Sequence, residues 1–83
     1  MNINDFSVYR DTVAKTDYEK VLDDFMAMGE RCVAKPYEDR IEQRRDMDMF
    51  RYYMTSTPAR RVRYRELQVS QRGNHVLLIN TGV

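Results

Sequence analysis

A single cysteine, Cys32, and a single histidine, His75, stand in a chain of 83 residues. That scarcity removes most of the devices that hold small proteins together. One thiol forms no disulfide within the chain, and a structural zinc site takes about four Cys or His ligands. A domain of this size exposes a large share of its surface and has a thin core. What remains is a hydrophobic core packed from helix and strand, in a well-packed monomer or in a homo-oligomer. The length allows one domain, spanning 1–83.

The lone cysteine also fits a reducing compartment. Met1 to Phe6 has neither the basic start nor the apolar stretch of a secretory signal. The longest apolar run is Val76 to Ile79, far short of the roughly 18 residues that a membrane helix requires. The expectation is a cytoplasmic protein, or one in the host cytoplasm or a virion if phage-encoded, with no membrane partner.

Periodicity organises the chain. Residues 2–15 fit neither period, with 6–9 a candidate short strand. Thr16 followed by Glu19 matches a capping box, which predicts a helix start. Tyr18, Val21, Leu22, Phe25, Met28 and Cys32 then recur at three- and four-residue spacing, as on a core-facing stripe. Gly29 weakens this helix, which is expected to end near Ala34. Pro36 suits the first position of a second helix. Met47, Met49, Phe50, Tyr52, Tyr53 and Met54 are apolar nearly all round, as in a helix buried on several sides; a strand over 49–54 is the alternative. Thr55-Ser56-Thr57-Pro58 closes that element. Arg60 to Val69 alternates in part, Ser70 to Asn74 supplies a turn, and His75 to Asn80 returns as a more buried strand. The expected fold class is therefore α+β: helices near 17–34 and 36–54 packed on a C-terminal antiparallel β-hairpin, with 6–9 as a possible added strand.

Charge is segregated along this plan. Residues 1–48 carry 8 Lys or Arg against 12 Asp or Glu, whereas residues 49–83 carry 6 arginines and one acid, Glu66. Arginine forms forked contacts to phosphate and carboxylate and stacks on rings. Arg60, Arg61, Arg63 and Arg65, with Tyr64 among them, form a row in which Arg61, Arg63 and Arg65 would line one side of an exposed strand, and Tyr52, Tyr53 or Tyr64 could stack on bases. Such a row also suits a solvated edge strand kept from aggregating by its charge. The Met47–Met54 cluster reads as core first and as an interface second. The carboxylates Asp17, Glu19, Asp23, Asp24, Glu38, Asp39, Glu42, Asp46 and Asp48 read as solvated helix faces. Cys32 falls on an apolar stripe and His75 beside a turn, so a catalytic pair is not expected. The three glycines are scattered and form no phosphate-binding loop. No catalytic residue, metal ligand or small-molecule cofactor is assigned.

Phe50-Arg51-Tyr52-Tyr53, Arg61-Val62-Arg63-Tyr64 and Val76-Leu77-Leu78-Ile79 with Gly82 look similar, as a succession of strand types, to the small bacterial toxins of the RelE/ParE type. The resemblance covers residues 49–82 and implies an RNA-directed activity using the same arginines. The chain departs from it in ending at Val83, without the basic and tyrosine side chains that the ribonuclease members carry beyond the last strand.

The leading expectation is a small non-enzymatic interaction protein, a regulator, inhibitor or assembly component on the scale of phage and mobile-element accessory proteins. It would present the arginine-rich hairpin and nearby tyrosines to an acidic protein surface or a nucleic acid. A toxin-like ribonuclease is the second expectation. A winged helix-turn-helix DNA-binding protein, with the hairpin as wing, is the third; it calls for a short recognition helix, and both expected helices are long.

Overall fold

The structure, a computed structural model, describes the backbone of residues 10–83 and the side chains of residues 18–83. The candidate strand over 6–9 lies outside the described residues. In chain order the elements are α1 (Arg10–Met28), β1 (Cys32–Pro36), α2 (Arg40–Thr55), α3 (Pro58–Arg63), β2 (Leu67–Arg72) and β3 (His75–Asn80). The strands form one antiparallel sheet in the order β1-β3-β2. The class is α+β, as the periodicity predicts, with an additional strand and an additional helix.

The additional strand follows from where α1 stops. Gly29 adopts φ +71, the left-handed conformation that commonly ends a helix. The glycine expected as a weak point inside the helix is its terminator, and Cys32 to Pro36 are extended instead of helical. Pro36 sits at the end of an edge strand, where its missing N–H costs no ladder bond. The start of α2 belongs to Asp39, whose carboxylate accepts the Ile41 N–H at 2.8 Å. At the other end of α1, Thr16 lies inside the helix, so Thr16–Glu19 does not begin it.

The additional helix arises at the segment read as a terminator. Thr57 is extended (φ −136, ψ 157) and its hydroxyl accepts the Arg60 N–H at 3.1 Å, while Pro58 occupies the first turn. Thr57-Pro58 therefore ends α2 and begins α3. The expected strand over Arg60–Val69 is corrected accordingly: its first half is helical, and β2 starts at Leu67. The partial alternation of Val62 and Tyr64 with arginines was outweighed by this cap and by the helix propensity of Ala59 and the arginines. The hairpin turn is also tighter than expected. Arg72 pairs with His75, leaving only Gly73 and Asn74 between. Gly73 has φ +59, as the first central position of a type II′ turn requires.

The helices pack on one face of the sheet. The core joins Leu22 and Phe25 of α1, Met47, Phe50, Tyr53 and Met54 of α2, and Tyr37, Tyr64, Leu67, Val76 and Leu78. The Met47–Met54 segment is thus helical, with Met47, Phe50, Tyr53 and Met54 buried and Asp48, Arg51 and Tyr52 exposed. Along β3, Val76, Leu78 and Asn80 are buried and their alternates half-buried. The α1 stripe is narrower than predicted: Tyr18, Leu22, Phe25 and Met26 meet the core, whereas Val21 and Met28 are exposed and Cys32 is an exposed strand residue.

Two polar fixtures lock these layers. Gln43, 2% exposed, donates from Nε2 to the carbonyls of Gly73 (3.0 Å) and His75 (3.2 Å), tying α2 to the hairpin turn. Asp46 accepts the Tyr18 hydroxyl on Oδ1 and the Tyr37 hydroxyl on Oδ2 at 2.7 Å. Burial opposes the Asp46 charge, but hydrogen bonds from the two phenols, with Arg45 and Lys35 nearby, outweigh it and hold the carboxyl below its usual range. The same burial and the carboxylate push the Tyr18 hydroxyl up to about 12.

Candidate nucleic-acid interface

The geometry of α3 decides what the arginines can do. Successive helical residues are rotated by about 100°. Arg60, Arg63 and Tyr64 therefore share one side, and Pro58, Arg61 and Val62 the other, with Arg65 just past the helix end. The inward side is engaged by α1. Arg60 forms an ion pair with Glu19, donates to the Ser56 hydroxyl at 2.7 Å, and lies 5.0 Å from the Tyr53 ring centroid. Arg63 lies 2.9 Å from Asp23 and over the Tyr64 ring at 5.6 Å. Asp23 also accepts the Tyr64 hydroxyl at 2.9 Å. Burial, then this bond, push the Tyr64 hydroxyl up to about 12.

The expected ledge of guanidinium groups projecting together from a β-ribbon, with Arg61, Arg63 and Arg65 on one side, is therefore absent. Arg60, Arg61 and Arg63 are on α3 and Arg65 is in the following turn. Two of the four are bound by carboxylates of the chain's own acidic half. Tyr53 and Tyr64 are buried core residues with 1% and 3% exposure, so neither offers a ring face to a base. Tyr52 is exposed at the end of α2, its ring edge-on to Tyr53.

Another surface emerges in place of the ledge. Arg61 is exposed and donates only to the Thr55 carbonyl at 3.2 Å, and Arg65 is exposed; neither has a carboxylate partner among the described residues. Thr55 in turn donates to the Arg51 carbonyl at 2.7 Å, which places the exposed Arg51 one helical turn from this contact. Arg51 and Tyr52 near the end of α2, Arg61 and Val62 of α3, and Arg65 of the following turn are all exposed. A cleft of about 420 Å³ runs between Arg63 and Arg65 over Met26, Val62 and Leu67, with the acid Glu66 and Asn80 also in its lining. At the other end of α2, Arg72 is exposed in the hairpin, whose turn is pinned by Tyr37 N–H donating to the Asn74 carbonyl at 2.8 Å.

Sequence reasoning reached Arg61 and Arg65 through composition, but missed Val62 and Arg51 as surface features and Glu19 and Asp23 as arginine partners. The Thr57-Pro58 cap was the available signal, since reading 58–63 as helix sorts the arginines by side. Cys32 and His75 do not come together: they lie at opposite ends of the β1–β3 pairing. Among the described residues no cluster of three or more His, Cys, Asp or Glu is placed to hold a metal ion, and no helix is long and apolar enough to cross a membrane. The segments compared with the RelE/ParE strands at Phe50–Tyr53 and Arg61–Tyr64 are not strands, which removes the pattern on which that resemblance rests. No family model, curated protein or solved structure matches the chain.

Proposed function

We propose that this chain is a small non-enzymatic interaction protein whose partner is a nucleic-acid duplex, engaged through α2 and α3 in the manner of a helix-turn-helix. The observation that carries the proposal is α3 itself. It is a short helix that follows α2 after a tight turn, buries none of its own residues, and turns Arg61, Val62 and Arg65 outward. The objection that the chain has only long helices no longer applies. The hairpin that follows carries Arg72 near its tip, which Gln43 holds at the opposite end of α2 from α3, so α2 and α3 alone would contact the duplex.

The dimensions agree. A helix with its side chains is about 10–12 Å across, and the major groove of B-DNA is roughly 12 Å wide. In such docking the second helix lies in the groove and the first crosses the backbone. Arg61 and Arg65 would then meet phosphates or base edges, and Arg51 the flanking backbone. Arg60 and Arg63, held by Glu19 and Asp23, would orient α3 and contribute little contact.

The test is fluorescence anisotropy of a labelled random-sequence duplex and the matching single strand over a salt series. The expected result is preference for duplex, with log K falling linearly with log salt. Replacing Arg61 and Arg65 by alanine should lower the slope by about one per lost phosphate contact. No duplex binding at low salt, or binding indifferent to the double substitution, would reject the proposal. A second reading, an acidic protein partner, is favoured by the apolar floor of the cleft at Met26, Val62 and Leu67 between Arg63 and Arg65. Binding of an acidic polypeptide in preference to duplex would support it.

A further inference from the structure

β1 is an edge of the sheet, and among the described residues it pairs only with β3. The Arg31 carbonyl accepts the Asn80 N–H and the Tyr37 N–H donates to the Asn74 carbonyl, each at 2.8 Å. Alternation along the strand then turns the backbone of Val33 and Lys35 toward β3 and that of Cys32, Ala34 and Pro36 away from it. The N–H and C=O groups of Cys32 and Ala34 and the C=O of Pro36 have no partner among the described residues. Lysine and proline commonly blunt an edge strand, and Lys35 and Pro36 blunt one end of this one. The stretch from Cys32 to Ala34 stays open.

Beside that stretch lies an apolar slot of about 140 Å³. Val21 of α1, 44% exposed, Phe50 of α2, and Val76 and Leu78 of β3 wall it. β1 contributes Val33, Ala34 and Lys35, and Tyr37 completes the lining with its hydroxyl already given to Asp46. Lys35 is therefore the single charge in the slot. Its ammonium lies 4.8 Å from the Tyr37 ring centroid and has no carboxylate within ion-pair distance among the described residues. Each feature selects a chemistry. Open strand amides and carbonyls are matched by an extended backbone, an apolar cavity of this order holds a benzene-sized group, and a free ammonium attracts a carboxylate. We propose that the β1 edge captures an extended segment of a partner protein as an added antiparallel strand. One large apolar side chain of that segment enters the slot opposite Val33, and a carboxylate two residues before it faces Lys35. The spacing follows because Val33 and Lys35 share one face of β1, so the residues opposite them are also two apart. This surface does not involve α3, and the inference is independent of the nucleic-acid reading.

The experiment titrates the isotope-labelled full chain with short threonine peptides, blocked at both ends, that carry the central sequence Asp-Thr-Leu, and follows amide shifts by NMR. Shifts should centre on Val21 and on Cys32 to Lys35. Replacing the peptide leucine by alanine should weaken binding at least about tenfold. Replacing the aspartate by asparagine should weaken it about two- to fivefold, and the reversed order Leu-Thr-Asp should bind less well. N-methylation of the central threonine, whose N–H meets the Ala34 carbonyl, should abolish binding. N-methylation of the leucine, whose N–H points away from β1, should be tolerated. Ala34→Pro removes a donor that β3 does not use, so the circular dichroism and urea midpoint should hold while binding is lost. Lys35→Gln should bind the aspartate and asparagine peptides equally. No binding at millimolar peptide, or binding indifferent to the leucine or to the site of N-methylation, overturns the proposal. A dimer in sedimentation that Ala34→Pro abolishes would give the edge to a second copy and overturn it as well.

Discussion

Asp46 is the most informative position at which to perturb the fold. Its side chain is 13% exposed and accepts hydrogen bonds from two phenols, Tyr18 of α1 and Tyr37 of the β1–α2 connection. A hydrogen bond to a charged group contributes about 1.5–3 kcal/mol net. Arg45, 3.6 Å away and largely exposed, adds little, because solvent screens the pair. Asp46→Ala removes both acceptors; with some water access to the phenols, it should cost about 2–4 kcal/mol. Against a total stability of about 4–12 kcal/mol for this length, that variant stands near the limit of folding. Asp46→Asn keeps one oxygen acceptor and the shape, and should cost about 1–2 kcal/mol at neutral pH. The pH dependence is the sharper test. The Asp46 carboxyl is held below its usual range in the folded state. Its contribution is therefore complete above the unfolded value, near 3.9, and is lost as pH falls through the lower folded value. Urea unfolding followed by circular dichroism, for the unsubstituted chain and Asp46→Asn from neutral pH into acid, should give a stability difference that shrinks at the acid end. A difference that is the same across the whole range would refute the account of Asp46 as a charge held by two phenols.

Three other outcomes follow from the same structure. Gln43→Leu removes the side-chain donor to the His75 carbonyl and the shorter of two to the Gly73 carbonyl, which keeps Gln71 Nε2 at 3.4 Å, and should cost about 1–3 kcal/mol, read as a lowered urea midpoint. Gly73→Ala meets no neighbouring atom but must adopt φ +59, so thermal unfolding should report a purely conformational cost of about 1–2 kcal/mol. In alkali, Tyr18 and Tyr64 titrate near 12 in the fold against about 10 unfolded. Their contribution is complete below the unfolded value and is lost as pH rises through the folded value. Ultraviolet titration should find tyrosinate appearing late for these residues, with stability falling over the same interval.

The sequence carried the architecture in its strongest local signals and lost it where two signals competed. The aromatic and methionine cluster of α2 and the apolar run of β3 were legible, because burial on several sides leaves few polar interruptions in a sequence. Gly29 was misread because a glycine inside a hydrophobic period and a glycine ending a helix look alike until the next element is known. Pro36 suited both a helix start and the end of an edge strand, and Asp39 decided between them. Arg60, Arg61 and Arg63 were legible as a charged segment but not as two groups, since the side of α3 that each occupies depends on treating Thr57 as a cap. The contacts that set Arg60 and Arg63 apart, to Glu19 and Asp23, join residues some forty positions distant, and no local pattern announces such a pairing.

The sheet order has a consequence for how the chain reaches its native state. β1 emerges early in synthesis, yet its partner among the described residues is β3, beyond α2, α3 and β2. The hairpin β2–β3 closes over two residues and can form quickly, whereas docking β1 onto it closes a loop of some forty residues and must wait for that hairpin. Assembly therefore ends with the capture of an edge by a ribbon already made. A nascent chain halted after α2 would carry Cys32 to Pro36 as an unsatisfied strand, with its amide and carbonyl groups open to other chains.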